Sequence, residues 1–418
     1  MNIHVDLKNS GVPEKDILAG RNSAKQALDV LLKGEMDFSG WVDAPLAMTE
    51  ELIEKIASMA KKIRQQCDTF LVLGVGGSFM GAKAVIDALG PGKKGCPSVV
   101  FAGYNFSGRY LGQLLEQIRE DDLCICLISK SGTTAETLAA YGVFKEWMEE
   151  KYGKKEAAAR TTVITENAPN PMRKEAEAAG SPLLDIPLDM GGRYSVLSPV
   201  GLLPIAVSGI DIRALLEGAK KIAREATGED YIDHGAMDYA IVRQILYRGG
   251  KSVEVYSFFY PYMEYFGEWL KQLFGESEGK EGKGLFPVSL QFSRDLHSMG
   301  QFLQEGSHCF FETFITAESY PGDIQIPHSA PSPLGGRTMN EINRCAQTGV
   351  MAAHRESGNP IVSIGLEEIT PYTMGQLLYF FQLSCAVSAL ILGVNPFDQP
   401  GVEAYKREMK AEIAKLPK

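Results

Sequence analysis

The densest group of side chains that could do chemistry lies at residues 129–137. This stretch, the hydroxyl turn, reads Ser-Lys-Ser-Gly-Thr-Thr-Ala-Glu-Thr, with five hydroxyl side chains and one lysine. It follows an uncharged apolar run at 123–128, which is typical of a buried strand, and it precedes a helical pattern. A helix start leaves backbone N–H groups unpaired and carries partial positive charge. Hydroxyls also cap helices, but one cap needs one such residue, so we predict that this turn binds a phosphate or similar anion.

A second candidate is the glycine turn at 74–78, Gly-Val-Gly-Gly-Ser, which also follows a short apolar run. It is not a dinucleotide fingerprint, because Phe79 follows the glycines and the next strand ends in Gly-Tyr-Asn at 103–105, without an acidic residue. It is not a Walker loop, because Gly81 is followed by Ala82 rather than by Lys and a hydroxyl residue. The pattern instead predicts a close backbone approach to a small ligand.

Two further stretches combine glycine with charge. Two glycines precede Arg193, which would let the backbone close on a ligand and aim a permanent cation at it, although a turn with a surface arginine fits equally well. Residues 275–284 have the composition of a solvated charged loop and offer three carboxylates, Glu276, Glu278 and Glu281, that composition does not rank.

The elements that must position these groups alternate between strands and helices. Strand patterns occur at 70–73, 98–101, 123–128, 161–165 and 183–186, and again at 252–257, 286–290, 310–315 and 361–364. This spacing predicts an α/β fold with mainly parallel sheets flanked by helices. Ligands of such sheets bind beyond the carboxyl ends of the strands, where the glycine turn and the hydroxyl turn both lie. The two turns are therefore expected to face one ligand.

We predict two domains of similar plan. Residues 1–205 would hold a helical N-terminal segment, to about residue 66, and the first sheet. Residues 206–418 would hold a helical connector (206–235), the second sheet and a charged C-terminal helix.

Three helices have local signals of their own. Ser293 is predicted to cap a helix that carries His297, and Thr338 with Glu341 to form a capping box. The uncharged run at 377–394 is nearly long enough to span a bilayer, but polar residues interrupt it and we expect a helix buried within the protein.

Composition narrows the function. A net charge of −10 disfavours non-specific nucleic-acid binding, which requires neutralisation of phosphates. The seven cysteines include no C-x-x-C and several lie in apolar runs, which is typical of a reduced, cytoplasmic protein. The six histidines form no metal-binding spacing, and the N-terminus lacks the pattern of a signal peptide, so we expect no metal and no membrane partner.

Taken together, these stretches resemble the glucose-6-phosphate isomerase family, in the order in which that family has them. The resemblance covers most of the chain and is carried by 74–78, 129–137, 191–195, 275–280, the helix with His297, and 397–406. The hydroxyl turn has Ser-Gly-Thr-Thr where many members have Thr-Phe-Thr-Thr, and Glu278 stands where many have asparagine. The chain is shorter than the animal members and resembles a compact bacterial form.

The resemblance implies two sugar-isomerase (SIS-type) domains, with an active site between them that a second subunit completes. It implies Glu276 as the base, with His297 and Lys406 in ring opening and the histidine supplied by the partner of a homodimer. It places the substrate phosphate on Ser129, Lys130, Ser131 and Thr134, and the sugar among Gly77, Ser78, Arg193, Gln272 and Gln399. The implied reaction is the cis-enediol interconversion of glucose 6-phosphate and fructose 6-phosphate in glycolysis and gluconeogenesis, with no cofactor.

Such a reaction suits these residue types. A carboxylate can move a proton between C2 and C1, a fixed guanidinium can stabilise the enediolate charge, and an imidazole and an ammonium can exchange the protons of ring opening. Two alternatives stay open in the sequence. SIS-type domains also occur in regulators that bind sugar phosphates without turnover, although the chain has no basic recognition helix, and an isomerase could also accept mannose 6-phosphate.

Overall fold

The computed structural model describes residues 3–90, 95–228 and 235–417. The strands in this part of the chain are β1 (Ile3–Asp6), β2 (Thr69–Leu73), β3 (Ser98–Ala102), β4 (Leu123–Ile128), β5 (Thr161–Glu166), β6 (Leu183–Ile186), β7 (Val253–Phe258), β8 (Phe286–Gln291), β9 (Phe310–Ser319) and β10 (Ile361–Glu368). The helices are α1 (Glu14–Leu32), α2 (Ala44–Ala47), α3 (Glu50–Arg64), α4 (Met80–Leu89), α5 (Gly108–Gln117), α6 (Ala135–Tyr152), α7 (Lys154–Ala159), α8 (Pro171–Ala179), α9 (Pro199–Val207), α10 (Ile212–Thr227), α11 (Gly235–Arg248), α12 (Glu264–Glu278), α13 (Leu296–Glu305), α14 (Met339–Glu356), α15 (Pro371–Leu392) and α16 (Pro400–Ile413).

The first sheet has the strand order β3-β2-β4-β5-β6, and all its pairs are parallel. Every residue of β2 and of β4 is buried, because helices cover both faces of the sheet. Alternate residues of β2 enter different cores: Phe70 and Val72 pack with the large central core, and Leu71 and Leu73 pack beneath α5, α6 and α8.

The second sheet has the order β1-β10-β9-β7-β8, parallel except for its first pair. The predicted fold class, two mainly parallel sheets flanked by helices, is therefore confirmed. The prediction of a wholly helical N-terminal segment is wrong, because Ile3–Asp6 adds an antiparallel edge strand to the second sheet. The domain division at residue 205 stays a prediction, and residues 229–234 of the expected connector lie outside the described residues.

All nine strands predicted from sequence are present, with ends that differ by a few residues. The solvated loop expected at 275–284 is wrong in its first part, because α12 continues to Glu278 and buries both Ser277 and Glu278. Ser293 does not cap the helix that carries His297; the N-cap of α13 is Asp295. The capping box of Thr338 is present in full.

Helix α15 passes through the middle of the protein, where it packs against α10, α11 and α12. It is the one helix of the described residues that is long and apolar enough to cross a bilayer, and 83% of its apolar window is buried inside the protein. The expectation of a buried helix in this region is confirmed.

Candidate active site

The glycine turn and the hydroxyl turn leave the first sheet side by side. Their strands, β2 and β4, are neighbours that pair in parallel up to Leu73 and Leu127. The carbonyl of Gly103, at the end of the adjacent strand β3, accepts a hydrogen bond of 3.3 Å from Oγ1 of Thr137 in the hydroxyl turn. The prediction that both turns lie at the carboxyl edge of one sheet is confirmed.

The hydroxyls of the hydroxyl turn pair with one another. Oγ of Ser129 lies 2.8 Å from Oγ1 of Thr134, and Oγ of Ser131 lies 2.9 Å from Oγ1 of Thr133. Thr134 is the N-cap of α6, yet its side chain caps none of the helix N–H groups among the described residues. Each pair uses one of its two hydroxyl protons, so the other proton of each pair and the first amides of α6 remain available to an anion at the positive end of the helix.

Lys130 behaves differently from its hydroxyl neighbours. Its ammonium donates to the carbonyls of Leu188, at 2.8 Å, and Met190, at 2.9 Å, and lies over the ring of Phe38. Burial lowers the pKa of the Lys130 ammonium from its ordinary value. Lys130 thus ties the hydroxyl turn to the segment before Arg193, and its contact with a phosphate stays a prediction.

The carboxylate of Glu276, in the last turn of α12, is held by three side chains from separate parts of the chain. Nε2 of Gln399 donates to its Oε2 at 2.7 Å, and Nε2 of Gln272 donates to its Oε1 at 3.2 Å. Nη1 of Arg193 lies 3.3 Å from Oε2. The Glu276 side chain nevertheless keeps 28% of its surface exposed, so the carboxylate is both oriented and accessible.

Arg193 is fully buried, so the interpretation as a surface arginine is wrong. Its Nε donates to Oγ of Ser277 at 2.8 Å, and its Nη2 donates to the carbonyls of Pro396 and Asp398. The guanidinium joins the first half of the chain to the end of α12 and to the segment before α16. A cation held in this way can stabilise developing negative charge without having to move.

The glycine turn fits against the same groups. A Cβ atom on Gly77 would lie 2.0 Å from the carbonyl oxygen of Gly192, and one on Gly76 would lie 2.8 Å from Nε2 of Gln272. Ser78, half-buried, completes this turn. The glycine turn therefore packs closely against the segment that carries Arg193 and against Gln272, the side chain that donates to Glu276.

Contacts rank the three carboxylates that composition left equal. Glu278 is fully buried and paired with Arg243, whereas Glu281 lies on the surface and pairs with Lys283 at 3.0 Å. Of the three, Glu276 is the one that faces Arg193.

Among the described residues, neither His297 nor Lys406 is hydrogen-bonded to the groups of this cluster. His297 is exposed on α13, and Lys406 pairs with Glu403 at 2.8 Å on α16. No hydrogen bond among the described residues joins either to Glu276. Their part in the site therefore stays a prediction.

Sequence reasoning missed several groups that hold the site together. Nζ of Lys280 pairs with Oδ1 of Asp398 at 2.6 Å, although the two residues lie in distant parts of the chain. Oγ of Ser277 accepts a hydrogen bond from Arg193, and nothing in the sequence distinguished this serine from others in predicted loops. Among residues 3–90, 95–228 and 235–417 there is no cluster of three or more His, Cys, Asp or Glu side chains that could hold a metal ion.

The fold and the site define a protein of the SIS-type sugar-isomerase fold. They combine two mainly parallel sheets, a hydroxyl-rich helix start at the edge of the first sheet, and a carboxylate faced by an arginine from the other half of the chain. The phosphoglucose isomerase family model matches residues 17–318 and 332–418. The chain belongs to the phosphoglucose isomerase family.

Individual relatives agree with this assignment. The chain is 44% identical to glucose-6-phosphate isomerase of Caldanaerobacter subterraneus subsp. tengcongensis over 94% of this chain and 90% of that one. It resembles the crystal structure of a hypothetical protein from Thermus thermophilus with a TM-score of 0.91 at 26% identity, over 99% of this chain and 100% of the other. A glucose-6-phosphate isomerase from Chlamydia trachomatis shares the fold, with a TM-score of 0.82 at 19% identity over 100% and 90% of the two chains.

Proposed function

We propose that this protein interconverts D-glucose 6-phosphate and D-fructose 6-phosphate, with Glu276 as the base that moves the proton between C2 and C1. The observation that carries the proposal is the carboxylate of Glu276, oriented by two amides and faced by the buried guanidinium of Arg193. Family membership and the named relatives support the same reaction.

The phosphate of the substrate would bind at the hydroxyl turn, on Ser129, Ser131 and Thr134, with Lys130 nearby. The phosphate takes no part in the bond changes. Because it is bound at a distance from the reacting carbons, its binding energy holds the open-chain sugar in position for proton transfer.

The sugar would lie between the hydroxyl turn and Glu276, beside Gly77, Ser78, Gln272 and Gln399. Glu276 takes the proton from C2 of the aldose and returns it to C1, and negative charge develops on O1 and O2 in between. The fixed guanidinium of Arg193 stabilises that charge. Oε1 of Gln272 is buried with no hydrogen-bond partner in the described part of the chain, so it can accept a bond from a sugar hydroxyl.

Ring opening needs one proton removed from O1 and one delivered to O5, and we assign it to His297 and Lys406. His297 is exposed and has no hydrogen bond to Glu276 among the described residues, so we assign it to the site of the partner in a homodimer. Three surface elements support such an assembly: α16 has no buried residue, α13 buries Leu303 alone, and α14 buries His354 alone.

Large apolar side chains are exposed on and near these helices, as expected of a surface that a second copy covers. They include Met299, Phe302, Ile324, Met339, Tyr405 and Ile413. We further propose a cytoplasmic protein whose partner is a small sugar phosphate, without nucleic-acid or membrane partners. Two observations support this part of the proposal: the cysteine pattern is typical of a protein with reduced thiols, and the net charge is −10.

A coupled assay tests the reaction. Purified protein, with a metal chelator present, is given fructose 6-phosphate, and glucose 6-phosphate is detected through its oxidation by an added dehydrogenase. The proposal predicts steady turnover with the chelator present. Binding of the sugar phosphate without turnover would instead indicate a regulator and would overturn the proposal.

A further inference from the structure

A fully buried ionic cluster adjoins the last turn of α12, the turn that carries Glu276. Arg243, on α11, forms a two-pronged pair with Glu278, and its Nε donates to Oε2 of Glu254 at 2.7 Å. Its Nη1 also donates to Oγ of Ser388, on α15, at 2.7 Å. Arg243, Glu254 and Glu278 all have no exposed surface. This arginine cluster is separate from the groups that face Glu276.

The cluster contains one guanidinium and two carboxylates, so it carries an excess negative charge within the core. Hydroxyl donors from three residues offset that charge at Glu254: Thr313 at 2.6 Å, Tyr256 at 3.0 Å, and Tyr239. Burial raises the pKa of Tyr239 and of Tyr256 well above the ordinary value, so both phenols keep their protons and act as donors. Each carboxylate oxygen of Glu254 and of Glu278 therefore has at least one hydrogen-bond donor.

Stability alone does not explain such a cluster. Removing charges from water is costly, and buried ion pairs can often be replaced by apolar side chains of similar volume without loss of stability. The location is more informative, because Glu278 is the last residue of α12 and lies two positions after Glu276. The last turn of a helix has unpaired carbonyls and frays easily, so a base placed there needs external support.

Two buried arginines provide that support from different elements. Arg193 donates a hydrogen bond from Nε to Oγ of Ser277, and Arg243 donates from both terminal nitrogens to the carboxylate of Glu278. Consecutive residues of a helix point in different directions, so fixing Ser277 and Glu278 also fixes the direction of Glu276. The Gly279 N–H closes the turn on the carbonyl of Gly275 at 3.0 Å.

We propose that Glu278, held by Arg243 and Glu254, is a positioning residue that fixes the carboxylate of Glu276 for proton transfer. This inference rests on the proposed role of Glu276 as the base. Displacement of a reacting group by about 1 Å can lower a rate by about 10²-fold, so a loosened final turn would be visible in kcat.

The test compares Glu278→Gln with Glu312→Gln in the full-length protein. Glu312 is an equally buried carboxylate of the second sheet, bound by Nδ1 of His354 at 2.8 Å and by Ser257 at 3.2 Å. Its strand neighbour Thr313 points to the other face of β9, toward the arginine cluster. The control thus removes the same charge from the same domain without touching α12.

We expect Glu278→Gln to lower kcat by about tenfold or more with KM changed by about twofold at most, because the phosphate site is intact. With glucose 6-phosphate deuterated at C2 as the substrate, the isotope effect on kcat should exceed that of the unaltered protein, since proton transfer becomes slower. Glu312→Gln should keep kcat within about twofold of the unaltered protein, even if its melting temperature falls as much as that of Glu278→Gln.

If Glu278→Gln does not fold, Arg243→Lys takes its place, since it keeps the charge and loses the forked geometry. A folded variant of the cluster that keeps both kcat and the isotope effect would overturn the inference, as would an equal loss in Glu312→Gln. Absence of isomerase activity in the unaltered protein would instead refute the proposed function, so the two failures are distinguishable.

Discussion

Oε2 of Glu276 lies 3.3 Å from Nη1 of Arg193, although 83 residues separate them in the chain. One group comes from the last turn of α12, and the other follows the last strand of the first sheet. Their meeting puts a proton acceptor and a fixed cation side by side. The same pair is what an enediolate requires, since one group removes the proton and the other stabilises the resulting charge.

Replacing Glu276 with glutamine should remove catalysis and leave binding intact. The amide keeps the shape of the side chain but cannot accept a proton from carbon, so we expect kcat to fall by about 10³-fold or more. Sugar-phosphate affinity, measured by calorimetry, should change little. The control is Glu281→Gln, an exposed carboxylate on the loop after the same helix, which should be fully active. Near-normal turnover in Glu276→Gln would remove this residue from the role of base.

The combined change Ser131→Ala and Thr134→Ala should weaken substrate binding. Both hydroxyls would be lost from the phosphate site, so we expect KM for fructose 6-phosphate to rise by about tenfold or more. Ser107→Ala is the matched control, because Ser107 caps α5 at another strand end of the same sheet. That control should lower stability by about 1 kcal/mol with KM unchanged. An unchanged KM in the double variant would contradict the phosphate assignment.

Gly77→Ala should disrupt the site through the backbone. The added methyl group would lie 2.0 Å from the carbonyl oxygen of Gly192. The glycine turn and the segment at 191–193 would therefore have to move apart, and Arg193 would shift with that segment. We expect a loss of about tenfold or more in kcat/KM. Gly191→Ala is the control, since its Cβ would meet no atom within 4 Å and its φ of −75° suits alanine. Equal activity of the two variants would show that the close approach is dispensable.

Mixed subunits test whether sites are shared. Glu276→Gln and His297→Ala are each expected to be inactive, but random exchange places both intact residues in one site of each mixed dimer. About a quarter of the unaltered activity should therefore return, because half of the dimers are mixed and half of their sites are whole. Mixing Glu276→Gln with Glu276→Ala should recover nothing. No recovery after confirmed exchange would argue for self-contained sites.

The strands and both turns of the first sheet were predictable from sequence because their signals are local. Runs such as 123–128 are apolar throughout, and the hydroxyls of the hydroxyl turn follow directly. The short strand Ile3–Asp6 was missed, since four residues leave little room for a pattern and its partner β10 lies at the far end of the chain. The helical position of Glu276 was also not predicted. The glycines and charged residues at 275–284 favour a loop, and tertiary contacts override that preference up to Glu278.

The roles of the three glutamates show where local signals end. Glu276, Glu278 and Glu281 lie within one short segment and have the same chemistry. They differ in their partners: Glu276 faces Arg193, Glu278 is paired with the buried Arg243, and Glu281 lies on the surface beside Lys283. Both arginines come from other elements, so only the resemblance to a family, and then the fold, could rank the carboxylates.

The most direct test of the central claim is to run the reaction in heavy water. If Glu276 carries a proton between the two carbons, that proton exchanges with solvent, and glucose 6-phosphate formed from fructose 6-phosphate will contain deuterium at C2, seen by mass spectrometry and NMR. Glu276→Gln should incorporate none over the same period. Product without deuterium, or incorporation by Glu276→Gln at the rate of the unaltered protein, would contradict the account.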